Sequence, residues 1–273
     1  MKERLTSADL RVRRYGESGP EVLLLHGGPG AAGYMAPVAL GLADSFRVLE
    51  PFQRASGHTP LTVARHVDDL HQVINSHCAD TRPAIVGHSW GAMLALAGAA
   101  AYPAQVGRIV LVGCGTFDPA ARTRLSETLA ERMTEDIEKR LADLSQECKD
   151  PDRRLGIMGK LIEPLYSFDH VPGADEAQEC DARAHTETWN DMLRLQENGT
   201  YPAAFASITS RVIMMHGTFD PHPGRMILAG LKPYIPHLEY KEWERCGHYP
   251  WREKHVRDEF HAALKAWLSG HCD

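Results

Sequence analysis

No apolar run in the chain approaches the roughly 20 residues that a membrane-spanning helix needs, so no transmembrane segment is expected. The stretch from Met1 to Arg14 carries Lys2, Arg4, Arg11, Arg13 and Arg14, with neither an apolar segment nor a small-residue cleavage site, which argues against a secretory signal and for a cytoplasmic protein. Basic charge is not in excess either. Against 30 Lys and Arg stand 36 Asp and Glu, a formal net charge of -6, and the positive face that nucleic acid requires is missing. Cysteines at metal-ligand spacing are also lacking: Cys78, Cys114, Cys148, Cys180, Cys246 and Cys272 are scattered without a CxxC pair, which speaks against zinc and against a disulfide framework. There is no internal repeat and no low-complexity tract. Asn198-Gly199-Thr200 matches a glycosylation sequon, but without an export signal Asn-Gly reads as a turn. What remains is a chain of 273 residues, 43% hydrophobic and 24% charged, the balance of a globular domain large enough to carry an insertion. Its net charge suits a small neutral or cationic substrate.

Short apolar runs recur at residues 21–25, 47–50, 83–87, 108–113, 211–216 and 238–243, with helical stretches between them. Strands buried on both faces and alternating with helices imply an α/β protein with a mostly parallel central sheet. The segment Met93 to Ala99 is apolar nearly all round before Tyr102-Pro103 ends it, as befits a central buried helix. Near the C-terminus, Val256, Phe260, Ala263, Leu264 and Trp267 recur at helical spacing among charged residues, so that helix covers the sheet and faces water. Between Gly115 and about Ser210 the strand rhythm stops. There Leu125, Leu129, Met133, Ile137, Leu141 and Leu144 recur every three or four residues, and Pro151, Pro164, Pro172-Gly173 and Asn198-Gly199 cut the rest into short helices and loops. Residues 116–210 are therefore expected to form an inserted helical cap on a core made of residues 1–115 and 211–273.

Gly87-His88-Ser89-Trp90-Gly91 fits G-x-S-x-G, follows the run Ala84-Ile85-Val86 and opens the apolar helix. A serine on such a strand-to-helix turn is exposed above the sheet, beside the N–H groups of a helix N-terminus, where an oxyanion is stabilised. The alternative is a helix-capping serine. A serine nucleophile needs a histidine base and an acid to orient it, and on this kind of elbow they follow in the order Ser, Asp or Glu, His. Asp220 lies in the loop after the run Val212 to Met215, and His248 in the loop after Leu238 to Trp243. Asp118 competes as the acid, but Asp118-Pro119-Ala120-Ala121 is also a good helix start. His26-Gly27-Gly28-Pro29-Gly30 follows the first clear strand, and Gly28 together with the N–H of Trp90 are the expected oxyanion donors. Neither a P-loop nor a dinucleotide fingerprint fits that glycine loop.

With these residues in hand the chain resembles the α/β-hydrolases, and in particular the proline iminopeptidase group, which pairs His-Gly-Gly-Pro-Gly with Gly-x-Ser-Trp-Gly. Pro51 to Gly57 is similar to that group's Asp-Gln-Arg-Gly-x-Gly turn, with Phe52 in place of the Asp and Ala55 in place of the first Gly, and Arg54 reads as a structural turn residue. The resemblance implies an acyl-enzyme mechanism that needs no metal, nucleotide or prosthetic group. It also implies that cap carboxylates meet a substrate's amino group. Candidates are Glu163, Glu176, Glu179, Glu187, Asp191 and Glu197, with Glu187 chosen for its place beside Trp189; a solvated helix face is the alternative. Trp189, Tyr166, Phe168, Tyr249 and Trp251 are candidates for a pocket wall or for plain core. The expected partner is a small molecule or short peptide, with aminopeptidase or amidase activity ahead of carboxylesterase or lactonase activity and of a ligand sensor built on the same fold.

Overall fold

The computed structural model describes residues 10–78, 82–171 and 179–270. Strands β1 (Val12–Tyr15), β2 (Glu21–Leu25), β4 (Arg47–Pro51), β5 (Ala84–His88), β6 (Ile109–Val112), β8 (Val212–Gly217) and β9 (Glu239–Trp243) form one sheet in the order β1-β4-β2-β5-β6-β8-β9. Only β1 is antiparallel to its neighbour. A second, minimal sheet pairs β3 (Ala31–Ala32) with β7 (Glu179–Cys180). The expected α/β class and mostly parallel sheet are what the chain adopts, while β1 escaped the sequence reading because Val-Arg-Arg-Tyr at a sheet edge carries charges that an interior strand would not.

Side-chain alternation divides the core. On β2, Leu23 and Leu25 join one apolar cluster and Val22 and Leu24 the other, so both faces of the sheet are covered. Helices α2 (Val63–His77) and α3 (Trp90–Ala101) pack on the first face, whereas α1 (Ala36–Leu42) and α9 (Arg257–Ser269) pack on the second. Helix α3 has no wet side, because α2 and the short turn of residues 203–207 close over it, and this is why its sequence lacks a polar stripe. On α9, Phe260, Leu264, Trp267 and Leu268 are buried, the face expected from their spacing.

Between β6 and β8 the chain forms α4 (Pro119–Arg132), α5 (Glu135–Glu147), α6 (Pro151–Tyr166) and α7 (Ala182–Glu197), and α8 (Gly224–Leu231) follows β8. The leucine periodicity runs across a break: Thr134 accepts a hydrogen bond from the Ile137 N–H and starts a new helix. Pro164 does not cut α6 as expected but sits inside its last turn, two residues from the end. Pro151 instead occupies the first turn, where its missing N–H costs nothing. Asn198 and Gly199, at φ 77°, end α7. Pro172-Gly173 lies outside the described residues.

Candidate active site

The carboxyl ends of the parallel strands gather the loops singled out above: residues 26–30 after β2, 53–57 after β4, Ser89 after β5, Asp220 after β8 and His248 after β9. Crevices at this edge are where open α/β sheets bind ligands. A cavity of about 450 Å³, with Glu21, Arg82, Arg108 and Arg211 in its wall, opens at the other end of the strands and is remote from this chemistry.

Ser89 has φ 54° and ψ -118°, a backbone conformation that costs a non-glycine residue on the order of 1–3 kcal/mol. The surroundings hold it there. Its N–H donates to the Val112 carbonyl at 2.9 Å, and its carbonyl accepts from the N–H of Ala92 and Met93 at 3.0 and 3.3 Å. The flanking glycines are required by contact: a Cβ on Gly87 would run into the Gly91 carbonyl, and a Cβ on Gly91 into the carbonyls of Leu25 and His26. The elbow therefore leans directly on the glycine loop after β2. Trp90 is the first residue of α3, so its N–H has no acceptor within the helix.

Gly28 lies at φ 115°. The preceding N–H, on Gly27, is committed to the Tyr34 hydroxyl at 2.7 Å, and the Tyr34 O–H donates in turn to Nδ1 of His88 at 2.7 Å. His88 must then carry its hydrogen on Nε2, which donates to the His248 carbonyl at 3.0 Å. Burial pushes the His88 pKa well below the ordinary histidine value and keeps this ring a neutral strut. The glycine loop, the elbow and the loop of His248 are thus joined by one file of hydrogen bonds.

His248 donates from Nδ1 to Oδ2 of Asp220 at 2.7 Å, which leaves Nε2 as its basic nitrogen. Burial lowers the His248 pKa, with Asp220 opposing that shift. Burial alone would raise Asp220, but His248, His216 and His222 around it outweigh that and hold its carboxyl well below the usual range. Oδ1 of Asp220 accepts from both the backbone N–H and Nδ1 of His222, each at 2.9 Å. Asp118, the competing acid, accepts from the Ala121 N–H at 2.8 Å and caps α4.

A family model of the alpha/beta hydrolases matches residues 22–263. The chain belongs to that family. Among its relatives, a proline iminopeptidase from Lactobacillus helveticus is 23% identical over 92% of this chain and 90% of its own length. A cis-3-alkyl-4-alkyloxetan-2-one decarboxylase from Shewanella oneidensis is 26% identical over 36% of this chain, and the match spans 34% of that protein. A meta-cleavage product hydrolase from Pseudomonas fluorescens superposes with a TM-score of 0.65 at 19% identity, covering 97% of this chain and 96% of that one.

In this α/β-hydrolase, Tyr249 stands with the candidate base, its ring 5.1 Å from that of His248 and 5.2 Å from that of His88. The Tyr166 ring lies tilted against that of His248 at 5.5 Å, and Trp251 meets His88 edge-on at 4.8 Å. Trp189 is half-buried and packs against the apolar core beside α3. Phe168 faces Phe219 instead, with Arg245 over its ring.

Glu187 needs correction. Its Oε2 accepts from the Leu61 N–H at 2.8 Å and its Oε1 from Arg183 at 2.7 Å, so both oxygens serve the fold, where an amine receptor was expected. Its neighbours on α7 act alike. Asp181 takes the Ser56 N–H at 2.6 Å, and Asp191 takes the N–H of Val63, the first residue of α2, at 2.8 Å. Asp181, at the N-cap of α7, and Glu187 and Asp191 within it are clamps on the segment that enters α2. Glu179 pairs with Arg11 and Glu163 with Arg252, while Glu176 lies outside the described residues.

Sequence reasoning passed over several positioning residues. Gln53 accepts from the Trp90 indole N–H at 2.7 Å, donates its amide to the His26 carbonyl at 2.8 Å, and gives its backbone N–H to Nε2 of His26 at 3.1 Å. Burial pushes His26 down to about 4, in keeping with that acceptor role. Arg54 forms a two-pronged ion pair with the buried Asp69, the structural part expected of it, and Phe52 carries Arg11 over its ring at 3.6 Å. Glu253 is buried and accepts from the N–H groups of Gly247, Phe168 and Asp169 at 2.8, 2.9 and 2.7 Å. Asp220, His222 and His248 offer ligand atoms within 4.8 Å of one another, a spacing an ion could bridge; the hydrogen bonds from both rings to the carboxylate account for it.

Proposed function

We propose that this α/β-hydrolase is a serine hydrolase that cleaves an ester or amide bond of a small substrate through an acyl-enzyme on Ser89, with residues 116–210 as the cap over the site. The observation that carries this reading is the 2.7 Å hydrogen bond from His248, after β9, to buried Asp220, after β8, at the same edge of the sheet as the strained Ser89 elbow after β5. His248 Nε2 takes the hydroxyl proton as Ser89 Oγ bonds to the carbonyl carbon, and Asp220 stabilises the imidazolium. The N–H groups of Gly28 and Trp90 receive the oxyanion. The proton then passes to the leaving group as its bond breaks, and water, deprotonated in turn by His248, releases the acid. Burial keeps His248 neutral below the ordinary histidine range, so activity is lost on acidification only as pH falls through that lowered value. A fluorophosphonate is expected to label Ser89, as read by intact mass and peptide mapping, and labelling that persists undiminished in Ser89→Ala would place the nucleophile elsewhere.

The substrate class turns on the cap carboxylates. The paired motifs and the end-to-end similarity to a proline iminopeptidase support an aminopeptidase. Against it, Glu163, Glu179, Glu187 and Asp191 already hold arginines or backbone N–H groups, which favours short acyl esters or lactones with no amine requirement. On the esterase reading, prolyl or alanyl arylamides are cleaved no better free than N-acetylated, and short acyl esters turn over faster than both. A loss in kcat/KM of about tenfold to a hundredfold on acetylation, the range for an unpaired buried carboxylate, would decide for the aminopeptidase.

A further inference from the structure

We infer that His222 is a positioning residue of this site, one that fixes the Asp220 carboxylate and the His248 ring plane and couples the protonation of the two imidazoles. The inference deepens, and rests on, the acyl-enzyme reading. Two rings share one carboxylate: His222 Nδ1 lies 2.9 Å from Oδ1 and His248 Nδ1 lies 2.7 Å from Oδ2. The rings are stacked, with centroids 4.7 Å apart and planes 20° from parallel. Because the His222 backbone N–H also binds Oδ1, that oxygen is saturated and only Oδ2 faces the base. The carboxylate cannot swing without breaking two bonds to one residue.

Each ring is tethered through its Nδ1–H and so keeps Nε2 as the basic nitrogen. The His222 side chain is 12% exposed against 4% for His248, so His222 is the outer ring of the pair. A cation there sits against the ring that must itself become a cation in the transition state, and it draws on the same carboxylate. Protons therefore enter the two rings as a coupled pair rather than independently. Other groups border the pair on every side. His216 comes to 3.3 Å from Oδ2 and gives its Nε2 hydrogen to the His222 carbonyl, and His88 lies 4.5 Å from the His248 ring. Tyr166, at the end of α6, touches both rings, and Tyr249 touches His248. Arg132 of α4 donates to the Phe219 carbonyl at 2.8 Å, one residue before Asp220. His88 is held neutral by burial and the two tyrosines are pushed up by burial, so none of the three adds a charge near neutrality.

Two variants separate the roles of His222. His222→Asn keeps an N–H near the position of Nδ1 but cannot titrate, while His222→Phe keeps the stacked ring without donor or charge. Hydrolysis of a short acyl ester is followed from pH 4 to 9, beside ¹⁵N histidine NMR of the same proteins. In His222→Phe, kcat falls by about tenfold with KM little changed, as expected when a group that only orients the acid is lost, and His222→Asn recovers most of it. In both variants the acid limb moves up by about half a pH unit or more, because removing the neighbouring cation makes His248 easier to protonate, and the His248 resonances follow a single titration. Unchanged kcat, acid limb and His248 titration in His222→Phe would overturn the inference. A wild type that hydrolyses nothing and is not labelled at Ser89 would sink the acyl-enzyme reading instead, while the ring titrations would still decide the coupling.

Discussion

Asp220→Asn is expected to lower kcat by about 10⁴-fold, the size of effect seen when a triad acid becomes an amide and its histidine is held in the wrong tautomer. In this protein neither orientation of the new amide is satisfactory. With its NH₂ toward His248 it would donate to Nδ1 and move the ring hydrogen to Nε2, which abolishes the base. Turned the other way, the NH₂ would meet two donors, the N–H and Nδ1–H of His222. The comparison is Asp118→Ala, which removes the cap on α4 and is expected to cost about 1 kcal/mol of stability with kcat preserved. Steady-state kinetics on one ester substrate, together with urea unfolding of both variants, checks the pair. Loss of turnover in Asp118→Ala and retention in Asp220→Asn would move the acid to the loop after β6.

Glu253→Ala is expected to lower unfolding stability by about 3 kcal/mol or more, since a charge-assisted hydrogen bond is worth about 1.5–3 kcal/mol and three N–H groups lose their acceptor together. Those N–H groups belong to Gly247, next to His248, and to Phe168 and Asp169, just after α6 within the inserted segment. Kinetics should therefore suffer alongside stability. Glu253→Gln keeps an oxygen for Gly247 and Phe168 but turns an NH₂ toward the Asp169 N–H, so it should fall between Ala and wild type. Chemical unfolding monitored by tryptophan fluorescence measures this, and a Glu253→Ala protein as stable as wild type would show that the loops hold one another without the carboxylate.

What could be read from the sequence was what is contiguous in it. Gly87 to Gly91 follows a strand and opens a helix within a few residues, so its turn is written locally, and Asp220 and His248 each sit in a loop directly after a strand. Gln53, Tyr34 and Glu253 act between separate segments of the chain, mostly by meeting single ring nitrogens or backbone N–H groups, and such meetings leave no local pattern. The inserted segment misled for a related reason. Glu187 and Asp191 recur as acids on the wet side of a helix would, and only the approach of the chain before α2 makes them structural acceptors. Pro164 and the edge strand β1 differ from expectation because position within an element, the last turn or the outer edge, relaxes rules that hold in the interior.

The inserted segment touches the core at its most delicate points. Asp181 gives its N–H to the Gly30 carbonyl and His185 bonds the Pro29 carbonyl, both on the glycine loop, while the Tyr166 carbonyl takes the His248 N–H at 2.7 Å. A graft that exchanged this segment for one from a distant homologue would thus remove supports of both the glycine loop after β2 and the loop of His248, even with the sheet untouched. Changes of specificity in this scaffold should come more readily by substituting side chains on the existing helices than by swapping the whole piece, because the inserted segment and the loops at the carboxyl ends of the strands are one interlocked part.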